Sequence, residues 1–298
     1  MNNYALINKL YNPSKITRIG KCLIFECEEG KYVAKKKSED ENPELYKYLK
    51  NRNFDGFPKM VDQSRIGMNI YEYIEDNYLP YEQKGEELIE LVSLLHNNTA
   101  YEREVTEDSF KDIYDDIKNN ILYYRDKYSK YINDIEQEIY MSPSHYLFIR
   151  NSSKILNALT FCENKLDEWY ENVKNNKTSK VCIIHNNLCI DHYKNNGDSY
   201  LISWDNAKRD SPILDIYKLY KKEALKLNFE SLFKKYFDNT NISDEDRDLL
   251  FIMICIPDDI FFSDNEFESC ELIERSLDYL FKTESLVRPY YTSQDEKQ

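Results

Sequence analysis

The chain has 298 residues, with 40 Lys and Arg against 54 Asp and Glu, for a net charge of −14. So acidic a protein repels phosphate backbones and anionic bilayers, which argues against nucleic acid or a membrane surface as its partner. No apolar run approaches the roughly 20 residues of a membrane span. The length suits about two domains of roughly 150 residues each. With 6 glycines there is neither a dinucleotide G-x-G-x-x-G loop nor a Walker A loop. The 7 cysteines are scattered, and Cys182, Cys189 and Cys255 sit in apolar runs. That pattern is expected of reduced, buried thiols in a cytoplasmic protein. The stretch "MNNYALINKLYNPSK" has no basic region followed by an apolar core, so no signal peptide is expected.

The first third reads as strands. "KCLIFECEEGKYVAKKK" alternates apolar residues on either side of Glu29-Gly30 and predicts a hairpin. "ENPELYKYLKNRNF" predicts a helix with Leu45, Tyr48 and Leu49 on one face. "FPKMVDQSRIGMNIYEYIE" predicts two more strands around a turn at Arg65-Ile66-Gly67. After Asp76 the period changes: Leu88, Leu91, Val92 and Leu95 recur at helical spacing. Thr106 is expected to cap the next helix, with Glu107 and Asp108 in its first turn and a stripe from Phe110 to Ile135. Ser142-Pro143 breaks it, and a further helix carries Ile155, Leu159, Cys162, Leu166, Trp169 and Val173.

"VCIIH" predicts a short buried strand, and "HYKNNGDSYLISW" a hairpin turning at Asn195 to Asp198. Ser211 as cap and Pro212 in the first turn open a helix. The rest is helical to about Leu286, and the polar tail "SQDEKQ" is expected to be disordered. A small α+β lobe over residues 1–75 and a larger, mostly helical lobe over 76–298 follow from this order.

The layout and the stretch from His185 to Asp215 resemble the protein-kinase-like phosphotransferases, closest to the aminoglycoside phosphotransferase and choline kinase group with its spore-coat kinase-like members. Those relatives carry His-Gly-Asp or His-Asn-Asp, a metal-binding asparagine shortly after, a hairpin, then Ile-Asp-Trp-Glu or Ile-Asp-Trp-Asp, then Asp-Pro and Asp-Leu. Here the stretch reads His185-Asn186-Asn187-Leu188, Ile202-Ser203-Trp204-Asp205, Ser211-Pro212 and Asp215-Ile216. The resemblance implies an α+β, two-lobed kinase-like fold, with His185 and Asp215 as structural residues.

The resemblance also implies where the chemistry fails. Asn187 stands where the relatives have the base that takes the substrate's hydroxyl proton, and an amide cannot accept that proton at neutral pH. His192 replaces the metal-binding asparagine. Ser203 replaces the carboxylate that bridges Mg²⁺ to the phosphates, and a hydroxyl is a poor ligand for so hard a cation. Loss of a general base alone costs ~10²–10⁴-fold, about 3–5 kcal/mol of barrier. Phosphoryl transfer otherwise rests on positioning and on the metal's neutralisation of charge. Three substitutions at one centre therefore point to a pseudokinase, for which Mg²⁺ binding is not expected. Asp205 as a metal ligand and Asp191 as a base are the residues that would rescue an active enzyme.

The nucleotide side is better kept. "KYVAKKK" resembles the strand whose lysine holds the α- and β-phosphates of ATP; Lys35 fits, or Lys36 if the register slips by one. Glu44 on the following helix would be its ion-pair partner, or an ordinary surface carboxylate. Glu72, Tyr73 and Ile74 in "YEYIED" resemble the hinge that offers backbone groups to adenine. Gly20 stands alone where a glycine-rich loop is expected.

The leading expectation is thus an impaired phosphotransferase serving as scaffold, regulator or nucleotide sensor for a protein partner. Its location would be cytoplasmic, with the spore coat implied by resemblance alone. The alternative is an active ATP-dependent phosphotransferase on a small hydroxyl- or amine-bearing substrate. A third reading takes Cys182, His185, Cys189 and His192, spaced C-x₂-H-x₃-C-x₂-H, as a zinc set in a structural binding protein.

Overall fold

The computed structural model describes residues 3–36, 43–62, 67–106 and 108–295. In chain order the elements are α1 (Asn3–Tyr11), β1 (Lys15–Ile19), β2 (Cys22–Cys27), β3 (Gly30–Lys36), α2 (Pro43–Asn51), β4 (Met60–Asp62), β5 (Met68–Glu72) and α3 (Tyr81–Thr99). Then come β6 (Tyr101–Glu104), α4 (Ser109–Glu136), α5 (Pro143–Val173), β7 (Thr178–Ile184), a 3₁₀ turn at Ile190–His192, β8 (Tyr193–Asn195) and β9 (Ser199–Leu201). A second 3₁₀ turn at Trp204–Asn206 leads to β10 (Lys208–Asp210), α6 (Ile213–Glu223), α7 (Phe229–Asn239), α8 (Asp244–Cys255) and α9 (Glu266–Asp295). The chain packs as two compact units: Met1–Thr99 with His185–Lys208, and Ala100–Ile184 with Arg209–Gln298. This grouping differs from the cut expected near Glu75, because α3 and the segment from His185 pack with the sheet.

The first unit is built on an antiparallel sheet in the order β1-β2-β3-β5-β4. The predicted hairpin forms with Cys27 opposite Gly30, and Gly30 takes φ +141°, which its lack of a Cβ permits. One sheet face carries Leu23, Phe25, Ala34, Met68 and Ile70, all buried. Ile7 of α1 joins this core. Neither α1 nor β1 was expected, since both are short and neither shows a clean apolar period. The helix predicted over "ENPELYKYLKNRNF" is α2, with Leu49 fully buried. Of the Arg65-Ile66-Gly67 turn, only Gly67 lies among the described residues, at φ +63°.

Close approach decides one glycine. A Cβ on Gly56 would lie 2.8 Å from Leu91 Cδ1 of α3 and 2.9 Å from Phe54 Cζ. The Gly56 carbonyl meanwhile accepts from Leu201 N–H at 2.8 Å. The 54–57 segment is therefore clamped between α3 and the β8–β9 hairpin. That hairpin is anchored by charge. The Asp76 carboxylate accepts from Lys84 Nζ at 2.9 Å, Lys194 Nζ at 3.1 Å and the Asn195 amide at 3.3 Å. Burial works against its ionisation, but these donors outweigh it and hold the carboxyl below its ordinary value.

The second unit is mainly helical, with the sheet β10-β7-β6. All six apolar residues expected to line α5 are buried, and Ser142 caps that helix, accepting from His145 N–H at 3.3 Å. Two expected caps do not form. Helix α4 starts at Ser109 rather than after Thr106, whose hydroxyl lies 2.8 Å from Ser109 Oγ; Glu107 lies outside the described residues. Ser211 does not cap α6, and its Oγ is buried without a hydrogen-bond partner among the described residues. The tail expected to be disordered is helical in α9 as far as Asp295, and residues 296–298 lie outside the described residues.

Asp246, in the first turn of α8, yields a test. Burial raises its carboxyl to about 6, against the pull of Ser243 and Lys180. That lies above the unfolded value of about 3.9, so the folded state holds the proton more tightly. Stability should rise as pH falls through about 6 and level off near 4. Asp246→Asn should raise the melting temperature at pH 7.5 and flatten this gain. A variant that tracks the wild-type melting curve from pH 4 to 8 would refute the assignment.

Candidate functional site

The site residues that can be compared with one another lie in the first unit. Lys35 is opposite Cys22 on β2 and Asn69 on β5. Directly opposed residues share a sheet face, so the register turns Lys35 away from the Ala34 core face. Its ammonium meets the Asp205 carboxylate at 2.9 Å, across 170 residues of sequence. The Lys35 side chain is 22% exposed and that of Asp205 57%. It is Lys35, not Lys36, that makes this contact. Glu44, the expected partner, forms an i,i+3 pair with Lys47 at 3.8 Å on the exposed side of α2.

Trp204 aims Asp205. Its indole is 5% exposed and donates from Nε1 to the Leu201 carbonyl at 2.6 Å. Phe54 and Phe57 pack edge-on against it at 5.9 and 6.4 Å, and the His185 ring does so at 5.1 Å. Tyr46 of α2 and Tyr71 of β5 extend the cluster through Phe57. Ser203, just before the indole, has φ +69° and ψ +52°, a left-handed conformation unusual for a residue with a Cβ. The bend places the indole in the core and the next side chain, Asp205, at Lys35.

The His185-Asn186-Asn187 turn is equally constrained. His185 is fully buried, and its Nε2 donates to the Ile202 carbonyl at 2.8 Å. Asn186 takes φ +61°, a conformation that asparagine tolerates, and its Nδ2 donates to Asn206 O at 3.0 Å. His192 Nδ1 donates to the Asn187 carbonyl at 2.8 Å, so His192 closes the turn. Asp191 is exposed on the 3₁₀ turn beside it. Asp215 is fully buried at the start of α6 in the second unit.

At the expected hinge, the Glu72 amide donates to Lys59 O and the Tyr73 amide to Lys31 O, both at 3.0 Å. The Ile74 amide makes no hydrogen bond with the described residues. Of the hinge amides expected from the sequence, this one is available to a ligand. Gly20, at φ +56°, and Lys21 form only a two-residue turn between β1 and β2.

Cys22 was not anticipated. Burial raises its thiol, Lys35 pulls it down and Asp205 pushes it up, so it stands beside the charged pair. The hairpin register around Glu29-Gly30 was the signal that could have found it. Among the described residues no group of three or more His, Cys, Asp or Glu side chains is placed to hold a metal ion. The zinc set read from the Cys182 to His192 spacing therefore does not assemble: His185 and His192 turn ring nitrogens to backbone carbonyls. For Mg²⁺ the same centre offers one carboxylate, Asp205, already paired with Lys35. These residues do not fit a resident metal.

Neither a protein-family model nor a curated protein sequence matches the chain. Solved structures do. An aminoglycoside phosphotransferase from Alicyclobacillus acidocaldarius matches with a TM-score of 0.68 at 11% identity, covering 95% of this chain and 93% of its own. The AMP-bound complex of a spectinomycin phosphotransferase matches with a TM-score of 0.53 at 14% identity, covering 93% and 92%. This is the kinase-like phosphotransferase fold. The α+β class and two-lobed kinase-like architecture expected from the sequence are those of the chain. At such identities the likeness is one of fold, and the kinase-like phosphotransferase fold alone assigns no reaction.

The aromatic packing makes a direct prediction. Trp204→Ala should lower stability by about 3–5 kcal/mol, as deletion of a buried tryptophan does. A urea midpoint unchanged from wild type would mean that the cluster does not hold the Ser203–Asp205 bend.

Proposed function

We propose that this chain is a nucleotide-binding, transfer-impaired protein of the kinase-like phosphotransferase fold, acting as a scaffold, regulator or nucleotide sensor for a protein partner. The observation that carries this reading is the Lys35–Asp205 pair beside a base position occupied by Asn187. An ion pair this exposed contributes at most about 1 kcal/mol to folding. Its charges are therefore cheap to redirect toward a ligand. Lys35 would hold phosphate oxygens, and the Ile74 amide would meet the base. AMP occupies the spectinomycin phosphotransferase that shares the fold, which supports a nucleotide as the ligand.

Transfer is another matter. The Asn187 amide takes no proton, and Ser203 supplies no carboxylate. Without a base and without a metal set, the chain's own residues bind and orient phosphates but leave the transfer barrier high. A second reading is favoured by one observation: the carboxylate of Asp205 stands at the lysine where the lost Ser203 carboxylate would be needed. On that reading Asp205 replaces the missing ligand, Asp191 the missing base, and the chain is an active phosphotransferase on a small hydroxyl- or amine-bearing substrate.

Melting temperature with ATP, with and without Mg²⁺, separates the two. Ligand at a hundred times its dissociation constant stabilises by about 2.7 kcal/mol. For a chain of this size that is a shift of roughly 5–10 °C. Impaired binding predicts a shift with ATP alone, lost in Lys35→Ala and enlarged in Asp205→Asn, which frees the ammonium. A shift that needs Mg²⁺ and vanishes in Asp205→Asn would favour the active enzyme. No shift under any condition would reject nucleotide binding.

A further inference from the structure

A trough of about 680 Å³ opens between α5 and α9 in the second unit, floored by Cys255 at the end of α8. Both walls follow from helical period. Lys154, Ala158 and Phe161 lie along one face of α5, while Leu280, Phe281, Val287 and Tyr291 line α9. Phe161 and Tyr291 close one end edge-to-face at 5.5 Å. Ala158 is too small to reach across, and the gap stays open.

The interior presents no unmet polar group. Thr283 donates to Tyr279 O at 2.8 Å and shares a hydrogen bond with Tyr220, and burial holds the Cys255 thiol protonated, at about 12. Apolar surface of this extent is costly to leave wet and marks a binding site. The rim carries the specificity. Arg288 is paired with Glu284 at 3.0 Å, while the exposed Lys154 ammonium makes no ion pair or hydrogen bond with the described residues. On a chain of net charge −14, this mouth has a local excess of positive charge.

We propose that the trough binds a single-chain amphiphilic anion, such as an aliphatic carboxylate, with its chain between α5 and α9 and its head group at Lys154 and Arg288. Charge selects this occupant over a neutral or cationic amphiphile. The narrow space between two helices selects one chain over a folded partner.

The test is calorimetric titration of the full chain with laurate, dodecanol and dodecyltrimethylammonium, each below its micellar concentration. Laurate should bind one to one and most tightly. Lys154→Glu should weaken laurate at least about fivefold, the worth of one exposed charge contact, and leave dodecanol unchanged. Ala158→Trp should fill the trough and abolish binding of all three. Equal affinity for the anion and the cation would overturn the proposal, as would laurate binding that Lys154→Glu leaves intact. If Ala158→Trp does not fold, Lys154→Glu decides alone, since that side chain lies on the surface. A dimer in sedimentation that Phe281→Ser dissociates would instead make the trough an interface between copies and overturn the proposal. ATP-induced stabilisation is read separately, so failure here does not bear on the nucleotide site.

Discussion

Packing around the Trp204 indole is the constraint on which the rest of the first unit depends. The ring is held by Phe54, Phe57 and His185, side chains drawn from segments far apart in sequence. Its burial compensates for the left-handed backbone at Ser203, a conformation that costs of order 1–3 kcal/mol at a residue with a Cβ. Remove the indole and nothing else in the segment would oblige Ser203 to bend. The Gly56 close approach serves the same end, since it lets the 54–57 segment lie between α3 and the β8–β9 hairpin. An aromatic core thus fixes the position of a charge: Asp205 reaches Lys35 because its neighbour in sequence is buried.

That arrangement explains how a kinase-like frame persists after its chemistry is lost. The parts retained are those that packing needs: His185 bonded to the Ile202 carbonyl, Trp204 in its cluster, Asp215 wholly buried. The parts altered, Asn187, His192 and Ser203, sit where the fold asks for a conformation rather than for a carboxylate. Asn186 shows the distinction, because its left-handed φ is one that asparagine adopts without losing its hydrogen bond to Asn206. His192 shows it again, since its ring closes the turn on the Asn187 carbonyl. Stability and catalysis make separable demands on the same few residues.

Much of this was legible beforehand. Strands β2 and β3 announce themselves by alternation, α3 and α5 by their apolar periods, and the stretch from His185 to Asp215 by its spacing. The failures share a cause. Helix α1 and strand β1 are short and are held by tertiary contact, as Ile7 is within the sheet core, so no local pattern marks them. The expected caps at Thr106 and Ser211 are side chains of the right type at which the neighbouring backbone takes another path. Glu44 was a reasonable partner for Lys35 by proximity along the chain, yet α2 turns it toward Lys47. The zinc spacing was a coincidence of sequence, since both histidines are committed to backbone carbonyls.

The sequence by itself determined the element types, the class of fold and the absence of a base at Asn187. Each of these depends on residue identity or on periodicity within a short window. Only the tertiary structure decided which charge meets Lys35, which hinge amide stays open, and that an apolar trough remains between α5 and α9. These depend on where distant segments come to rest. A pairing across 170 residues is set by core packing and backbone bends, and no local pattern records it.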